Sequence, residues 1–326
     1  MHHLALLFAL VRFASAQTSS PTAIASHYSL SSSTSLKMPT ATLAPSSASA
    51  YITSTWSVQG NIDGAADLAF VPDPFPSTTS SATSTAKTTA KTTAKSTSKS
   101  TSTPTPTPTP VLRVTYPNGS FSHPGTAGAQ FYSYWSPPAG KQWQSMLLAY
   151  DVAFDTNFTW VLGGKLPGLR GGANTSSCSG GSAANGSNCF TSRLMWRTGG
   201  AGEVYSYFLL PNGTCTNSHF ICNSDGYGTS IDRGSFNFNA GQWNRISLLV
   251  RMNSPVNVTN GQVALYHNDV QAISESSLQY RNNSAVNIGG IFFSTFFGGS
   301  TSSWAPPNTT HSYFRNFQLW GSTAPA

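Results

Sequence analysis

The 326-residue sequence predicts an all-β domain, a β-jelly roll or antiparallel β-sandwich with a concave substrate cleft, preceded by a disordered stalk. Three features carry this. Short strand-like runs recur through the second two thirds of the chain, Gly/Asn/Pro clusters separate them, and no amphipathic helix of normal length appears. The expected strands span 146–154, 159–162, 190–198, 203–210, 235–238, 243–252, 262–267, 286–296 and 312–320.

Residues 1–16 read as a secretory signal: His2 and His3, an apolar run from Leu4 to Val11, and an Ala14-Ser15-Ala16 cleavage site. No later stretch is apolar and long enough to span a membrane, so the expected location is extracellular. Eight Asn-x-Ser/Thr sequons, at Asn118, Asn157, Asn174, Asn185, Asn212, Asn257, Asn282 and Asn308, agree with that route. Residues 17–110 are rich in Ser, Thr, Ala and Pro and end in a Lys/Thr and Pro/Thr tract. Such a composition buries too little apolar surface to offset ordering entropy, and predicts an extended, O-glycosylated stalk whose removal leaves turnover unchanged. The segment 51–77 interrupts it with aromatic and apolar residues, but is too small to bury a core of its own and reads as a stickier part of the linker. The folded domain is then 111–326, expected to be a monomer.

Four cysteines allow three pairings. Cys178–Cys189 and Cys215–Cys222 are the expected bridges, because each pair brackets a short polar loop. No C-x-x-C occurs and the context is secretory, so no metal and no cofactor are expected. The formal net charge is +7, but four of the seven lysines (Lys87, Lys91, Lys95, Lys99) sit in the low-complexity tract. From Val111 onward eleven Lys/Arg face seven Asp/Glu, and nine of the eleven are arginine. Arginine's planar fork suits carboxylates. With no nucleic-acid motif present, an acidic polysaccharide is the expected partner.

The chemistry concentrates between Gly163 and Tyr207. From Thr191 to Thr198 the alternation is strict, placing Thr191, Arg193, Met195 and Arg197 on one strand face and Ser192, Leu194 and Trp196 on the other. The TGGAG turn (198–202) reverses the chain, and Glu203, Tyr205 and Tyr207 again share a face. Pairing Arg197 with Glu203 across the turn would set Met195 opposite Tyr205 and Arg193 opposite Tyr207. A glycosidase needs two placed carboxyl groups, and no two of the domain's acids share a strand face. No G-x-S-x-G or H-E-x-x-H motif occurs. A guanidinium, a lysine and phenols do suit β-elimination from a uronate. Cations neutralise the carboxylate and stabilise the enolate-like charge, while tyrosine, with a reference pKa near ~10 that cations can lower, serves as base or acid. His219 and His311 read as surface or structural groups.

GGKLPGL, CFTSRLMWRTGGAGEVYSY, SIDRGSFNFNAGQWN and FFSTFFGGSTSSWAPP…YFRNF together resemble the alginate lyases of polysaccharide lyase family 14 over most of 130–320, and more distantly the fungal glucuronan lyases of family 20. The resemblance implies a jelly roll whose cleft uses Lys165, Arg193, Tyr205 and Tyr207 for catalysis, with Thr191 where the family usually has serine. Arg170 stands where an aromatic is common, and the loop between Lys165 and Arg193 is enlarged. Substrate contacts are expected from Thr191, Arg197, Arg170 and Trp304. The expected function is a secreted lyase cleaving a 1,4-linked polyuronate of the glucuronan or alginate type. The alternative is a non-catalytic carbohydrate-binding jelly roll tethered by its stalk.

Overall fold

The computed structural model describes residues 18–76, 109–122, 127–173, 177–223 and 225–325. The expected signal peptide, the low-complexity tract 77–108 and the Asn174 sequon lie outside the described residues. Two antiparallel eight-stranded sheets face each other. The first runs β14 (Val270–Leu278), β13 (Gly261–His267), β12 (Asn244–Arg251), β6 (Ser145–Phe154), β16 (Thr310–Ser322), β4 (Val111–Tyr116) and β3 (Leu68–Val71), with β1 (Ser32–Ser35) pairing the end of β16. The second runs β10 (Phe220–Ile221), β11 (Thr229–Ile231), β9 (Gly202–Tyr207), β8 (Phe190–Arg197), β7 (Gly163–Gly171), β15 (Ile288–Thr295), β5 (Ala129–Tyr134) and β2 (Val58–Asp63).

One apolar core fills the space between the sheets, with Leu148, Tyr150, Val152 and Phe154 from one side meeting Leu166, Leu194, Trp196 and Phe293 from the other. β6 is buried at every position, because its other face is covered too. Helix α1 (Pro21–His27) lays Ile24 and Ala25 on Leu147, Leu249 and Ala264 there. That double burial explains why β6 reads as a continuous apolar run instead of an alternation.

Residues 18–76 are therefore not part of a stalk. Helix α2 (Pro45–Thr55) begins with proline at its first turn and drops Ala48 and Ile52 into the main core. Trp56 follows, fully buried against Phe70, Phe131 and Phe317, with its indole N–H donating to the Lys37 carbonyl at 2.8 Å. β1 and β3 extend the first sheet and β2 extends the second, so the segment ties the two layers together. Asp73 closes it, accepting from Arg315 and from the Trp243 indole N–H. The segment has no core of its own, as expected; it borrows one. Val71 pairs with Val111, so the described chain on either side of residues 77–108 lies on adjacent strands.

Two expected strands are also corrected. Residues 159–162 form a turn, with Val161 at φ 50°, and the strand starts at Gly163. Residues 235–238 make only an isolated bridge from Asn237 to Ala201.

The expectation that the N-terminal region is dispensable is replaced by its opposite. Trp56→Ala should lower the unfolding free energy by about 3–5 kcal/mol, the usual cost of emptying a buried aromatic site. Removing 18–76 should abolish cooperative unfolding in urea. A truncated chain that unfolds at the same midpoint as the full chain would refute the docking.

Candidate active site

β7, β8 and β9 lie side by side, and their outward face carries the site. The alternation read from the sequence holds: Leu194 and Trp196 enter the core, while Arg193 and Met195 face the other way. Glycine is required on β7, since a Cβ at Gly164 would lie 2.1 Å from the Trp196 ring. The GGKLPGLRG run is thus a strand built to let that indole lie against it. Lys165 stands opposite Met195, Arg193 opposite Tyr205, and Thr191 opposite Tyr207.

This register is two residues from the expected one. The Arg197 N–H donates to the Ala201 carbonyl at 2.7 Å, with Gly199 and Gly200 at φ 70° and 83°, so the turn is tighter than an Arg197–Glu203 pairing would need. A slip of two keeps every side chain on its face. The Arg197–Glu203 ion pair still forms diagonally, at 2.6 Å.

A cavity of about 530 Å³ opens over these strands. Lys165, Arg193, Met195, Tyr205 and Tyr207 form its floor. Arg197, Gln130, Asn223 and Tyr227 stand around it, with Ser179 and Gly180 from one disulfide loop and Phe296, Gly298, Gly299 and Trp304 on the opposite wall. No aspartate or glutamate lines it among the described residues.

Arg193 is 2% exposed, its guanidinium 4.3 Å from the Phe292 ring centre and donating to Ser294 Oγ at 3.0 Å. Ser294 in turn donates to Gln130 at 3.1 Å. The Arg193 Nε–H is buried and has no hydrogen-bond partner among the described residues, so the protein does not fully satisfy this guanidinium. The Lys165 amine lies 2.9 Å from Met195 Sδ and 3.3 Å from the Tyr205 ring centre. Burial, then the guanidinium groups of Arg193, Arg197 and Arg233, hold its pKa well below the usual lysine range against the opposing pull of Glu203. For Tyr205 burial is again the first cause, and a hydrogen bond to Tyr207 adds to it. Its pKa is raised, not lowered as the cation argument expects, because Arg193 and Arg197 oppose without prevailing.

Arg233 escaped the sequence reading. Its Nε donates to Glu203 Oε2 at 2.6 Å while Arg197 Nη2 takes Oε1, so one fully buried carboxylate holds two guanidiniums beside the cleft. The only sequence signal was its place in the SIDRGSFNF segment, after β11.

Two expected substrate contacts do not reach the cavity. Thr191 is buried and donates to the Cys178 carbonyl at 2.7 Å. Arg170 lies further along the sheet, stacked 4.4 Å from the Tyr132 ring centre and donating to Tyr134 Oη at 2.6 Å. Arg197 and Trp304 do line the cavity. Both expected disulfides form, Cys178–Cys189 and Cys215–Cys222. His311 is bound to Asp155 at 2.9 Å, outside the cavity. His219, Asp232 and Glu275 bring three ligand-type atoms within 4.8 Å of one another, also outside it, and satisfy one another by hydrogen bonds.

The comparisons with known proteins follow this geometry. Residues 104–317 match the family Polysaccharide lyase 14. The chain is 32% identical to a solved marine PL-14 alginate lyase from Aplysia kurodai, with a TM-score of 0.66 over 89% of this chain and 100% of that one. An alginate lyase from a Chlorella virus shares the fold at 21% identity and a TM-score of 0.54, over 65% of this chain and 85% of that one. The protein named Exolysin of Paramecium bursaria Chlorella virus 1 is 28% identical over an alignment of 203 residues that covers 55% of this chain and 30% of that protein. With a β-sandwich fold, a cationic phenol-lined cleft and a family match over most of its length, the chain belongs to polysaccharide lyase family 14.

Proposed function

We propose that the protein is a secreted, monomeric lyase that cleaves a 1,4-linked polyuronate of the alginate type by β-elimination. The observation that carries this is the charge balance of the cleft: Lys165, Arg193 and Arg197 line a cavity that no acidic residue lines among the described residues, and the nearby Glu203 is consumed by Arg197 and by Arg233 behind the lining. Such a site needs an anion, and a uronate carboxylate supplies one at the carbon next to the proton to be removed. Arg193, which lines the cavity floor, takes the carboxylate. Lys165, held towards the neutral amine, gains a proton as that carboxylate arrives, since an opposite charge favours the charged form.

Tyr205 keeps its proton and is assigned as the acid that protonates the departing glycosidic oxygen. Tyr207 reacts as its phenolate and accepts the C5 proton, ending as the neutral phenol. The C5–H bond electrons form the new double bond, the C4–O4 bond breaks, and the O4 electron pair takes the proton from Tyr205. No water or nucleophile enters the balance. Trp304 offers an apolar face to a sugar ring. Both disulfides support the extracellular assignment, as does the exposure of all seven sequon asparagines that are described. No helix among the described residues is long and apolar enough to cross a membrane.

Incubation with alginate, and with glucuronan as the comparison, should produce the near-ultraviolet absorbance of an unsaturated uronate, faster with alginate. Tyr207→Phe should lower kcat by about two to four orders of magnitude with little change in fold, the usual worth of general acid-base catalysis. Near-normal turnover in that variant would move the base elsewhere. No absorbance from any polyuronate, with binding retained, would leave a carbohydrate-binding protein.

Glu203 anchors two of the cations, so its neutralisation is expected to be felt in the fold. Glu203→Gln should cost about 3 kcal/mol in urea unfolding, because it leaves two guanidiniums without their carboxylate. A loss below about 0.5 kcal/mol, the size of an ordinary surface substitution, would show that solvent already screens them.

A further inference from the structure

The Cys178–Cys189 bridge does more than close a loop. Its sulfurs pack in one buried cluster with Met195 and the rings of Tyr205 and Tyr207. Within the loop, Cys178 N–H donates to the Ser182 carbonyl at 2.9 Å and Ser182 N–H to the Ser179 carbonyl at 3.0 Å, making a tight turn. Gly180 and Gly181 sit at its tip with φ 57° and 86°, the left-handed region that glycine enters freely. The turn is tied to β8 as well, because Thr191 Oγ1 donates to the Cys178 carbonyl, and Thr191 is the cross-strand partner of Tyr207. The result is one directed contact: the Gly181 N–H donates to Tyr207 Oη at 3.3 Å.

We infer that the Gly181 amide, held in place by the Cys178–Cys189 loop, is a positioning donor that makes Tyr207, and not its neighbour Tyr205, the proton acceptor of the site. The inference rests on the lyase reading above and deepens it. Two phenols two residues apart on one strand are chemically alike, and something must distinguish them. A backbone N–H has only a hydrogen to offer, so the oxygen facing it must accept, and a donor to a phenolic oxygen favours its ionised form. The Tyr205 ring meets the Tyr207 ring edge to face at 5.8 Å, and burial keeps the proton on Tyr205. The other charged or titratable groups around Tyr207 are Arg193 from β8, Lys165 from β7 and Tyr227 from the lead into β11. Thr191, which the sequence suggested as a substrate contact, acts in this arrangement by holding the loop.

The test takes the loop-held amide away from Tyr207 while keeping the phenol. Gly181→Pro lacks the donor and, because proline holds φ at about −65° where Gly181 sits at 86°, also unseats the turn, so it tests the loop-held amide as one unit. Gly181→Asn keeps it, tolerates positive φ, and would bring its Cβ no closer than 3.4 Å to the nearest neighbour, the Tyr227 ring. In Gly181→Pro the rising limb of the pH-rate profile should move up by about one pH unit, a tenfold loss at neutral pH that alkaline buffer restores, with KM changed less than about twofold. Gly181→Asn should keep the original limb. The Cys178→Ser/Cys189→Ser protein should follow Gly181→Pro, which guards against a proline-specific folding defect. An unmoved limb in Gly181→Pro, or equal shifts in the proline and asparagine proteins, would overturn the inference. An ultraviolet tyrosinate titration, with Tyr207→Phe identifying the Tyr207 component, reads the same shift without turnover. If no protein cleaves polyuronate but that component still moves, the lyase reading fails and the amide donor stands.

Discussion

Four basic side chains converge on one sheet face with a single buried carboxylate among them, and most of the local structure is arranged to tolerate that excess. Cations at this spacing repel, and burial magnifies the repulsion. Three separate devices relieve it. Glu203 spends both oxygens on Arg197 and Arg233; Arg193 spreads its charge over the Phe292 face and through Ser294 to Gln130; Lys165 drifts towards its neutral form over the Tyr205 ring. What remains is a field directed into the cavity.

Holding such a field requires a stiff platform, and the opposite face of the same strands provides it. Leu166, Leu194 and Trp196 anchor β7 and β8 in the core, and the absence of a side chain at Gly164 lets the Trp196 ring lie against the strand that carries Lys165. A functional side chain on a strand alternating with core residues inherits the rigidity of its neighbours. The N-terminal segment contributes at the far end of the sandwich, where Trp56 and Phe70 join Phe131 and Phe317 from both sheets. Loss of that plug would loosen β5, the strand that carries Gln130 and so the far end of the Arg193 relay.

How much of this could be read in the residues depended on whether the signal was local. The face alternation of β8, the diagonal Arg197–Glu203 pair and the two short disulfide loops all follow from spacing within a few residues, and all are present. The hairpin register depended on how tightly two glycines could turn, which spacing does not fix, and it came out two residues away. β7 was absent from the expected strands because the reason for its glycines, the Trp196 ring, lies on another strand. Arg233 was invisible because its partner Glu203 is thirty residues away. Residues 18–76 were misread for a compositional reason. Averaged Ser/Thr/Ala/Pro content hides a few apolar residues, Ile24, Ile52, Trp56 and Phe70, each of which is buried in a core that other parts of the chain build. Averages describe a segment that must fold alone, and this one does not.

The fate of the acidic residues narrows the chemistry from the other direction. Asp151 is shared by Arg245 and Arg315, Asp155 by His311, Tyr313 and Thr310, Asp232 and Glu275 by His219, and Glu203 by its two arginines. None of them stands in the cavity lining. Hydrolysis by a carboxyl pair needs an acid and a base or nucleophile flanking the bond, on the order of 5 to 10 Å apart, and would further require the substrate's own carboxylate to sit beside them. In a cleft already rich in cations, adding two carboxylates would cancel the field that binds a polyuronate. Elimination reverses that conflict. The substrate brings the negative charge, the cations that bind it also acidify the neighbouring proton, and a pair of phenols can carry the proton exchange, the base as its phenolate and the acid as the neutral form. Binding and activation then use one interaction, which is why a site without carboxylates suits a substrate made of them.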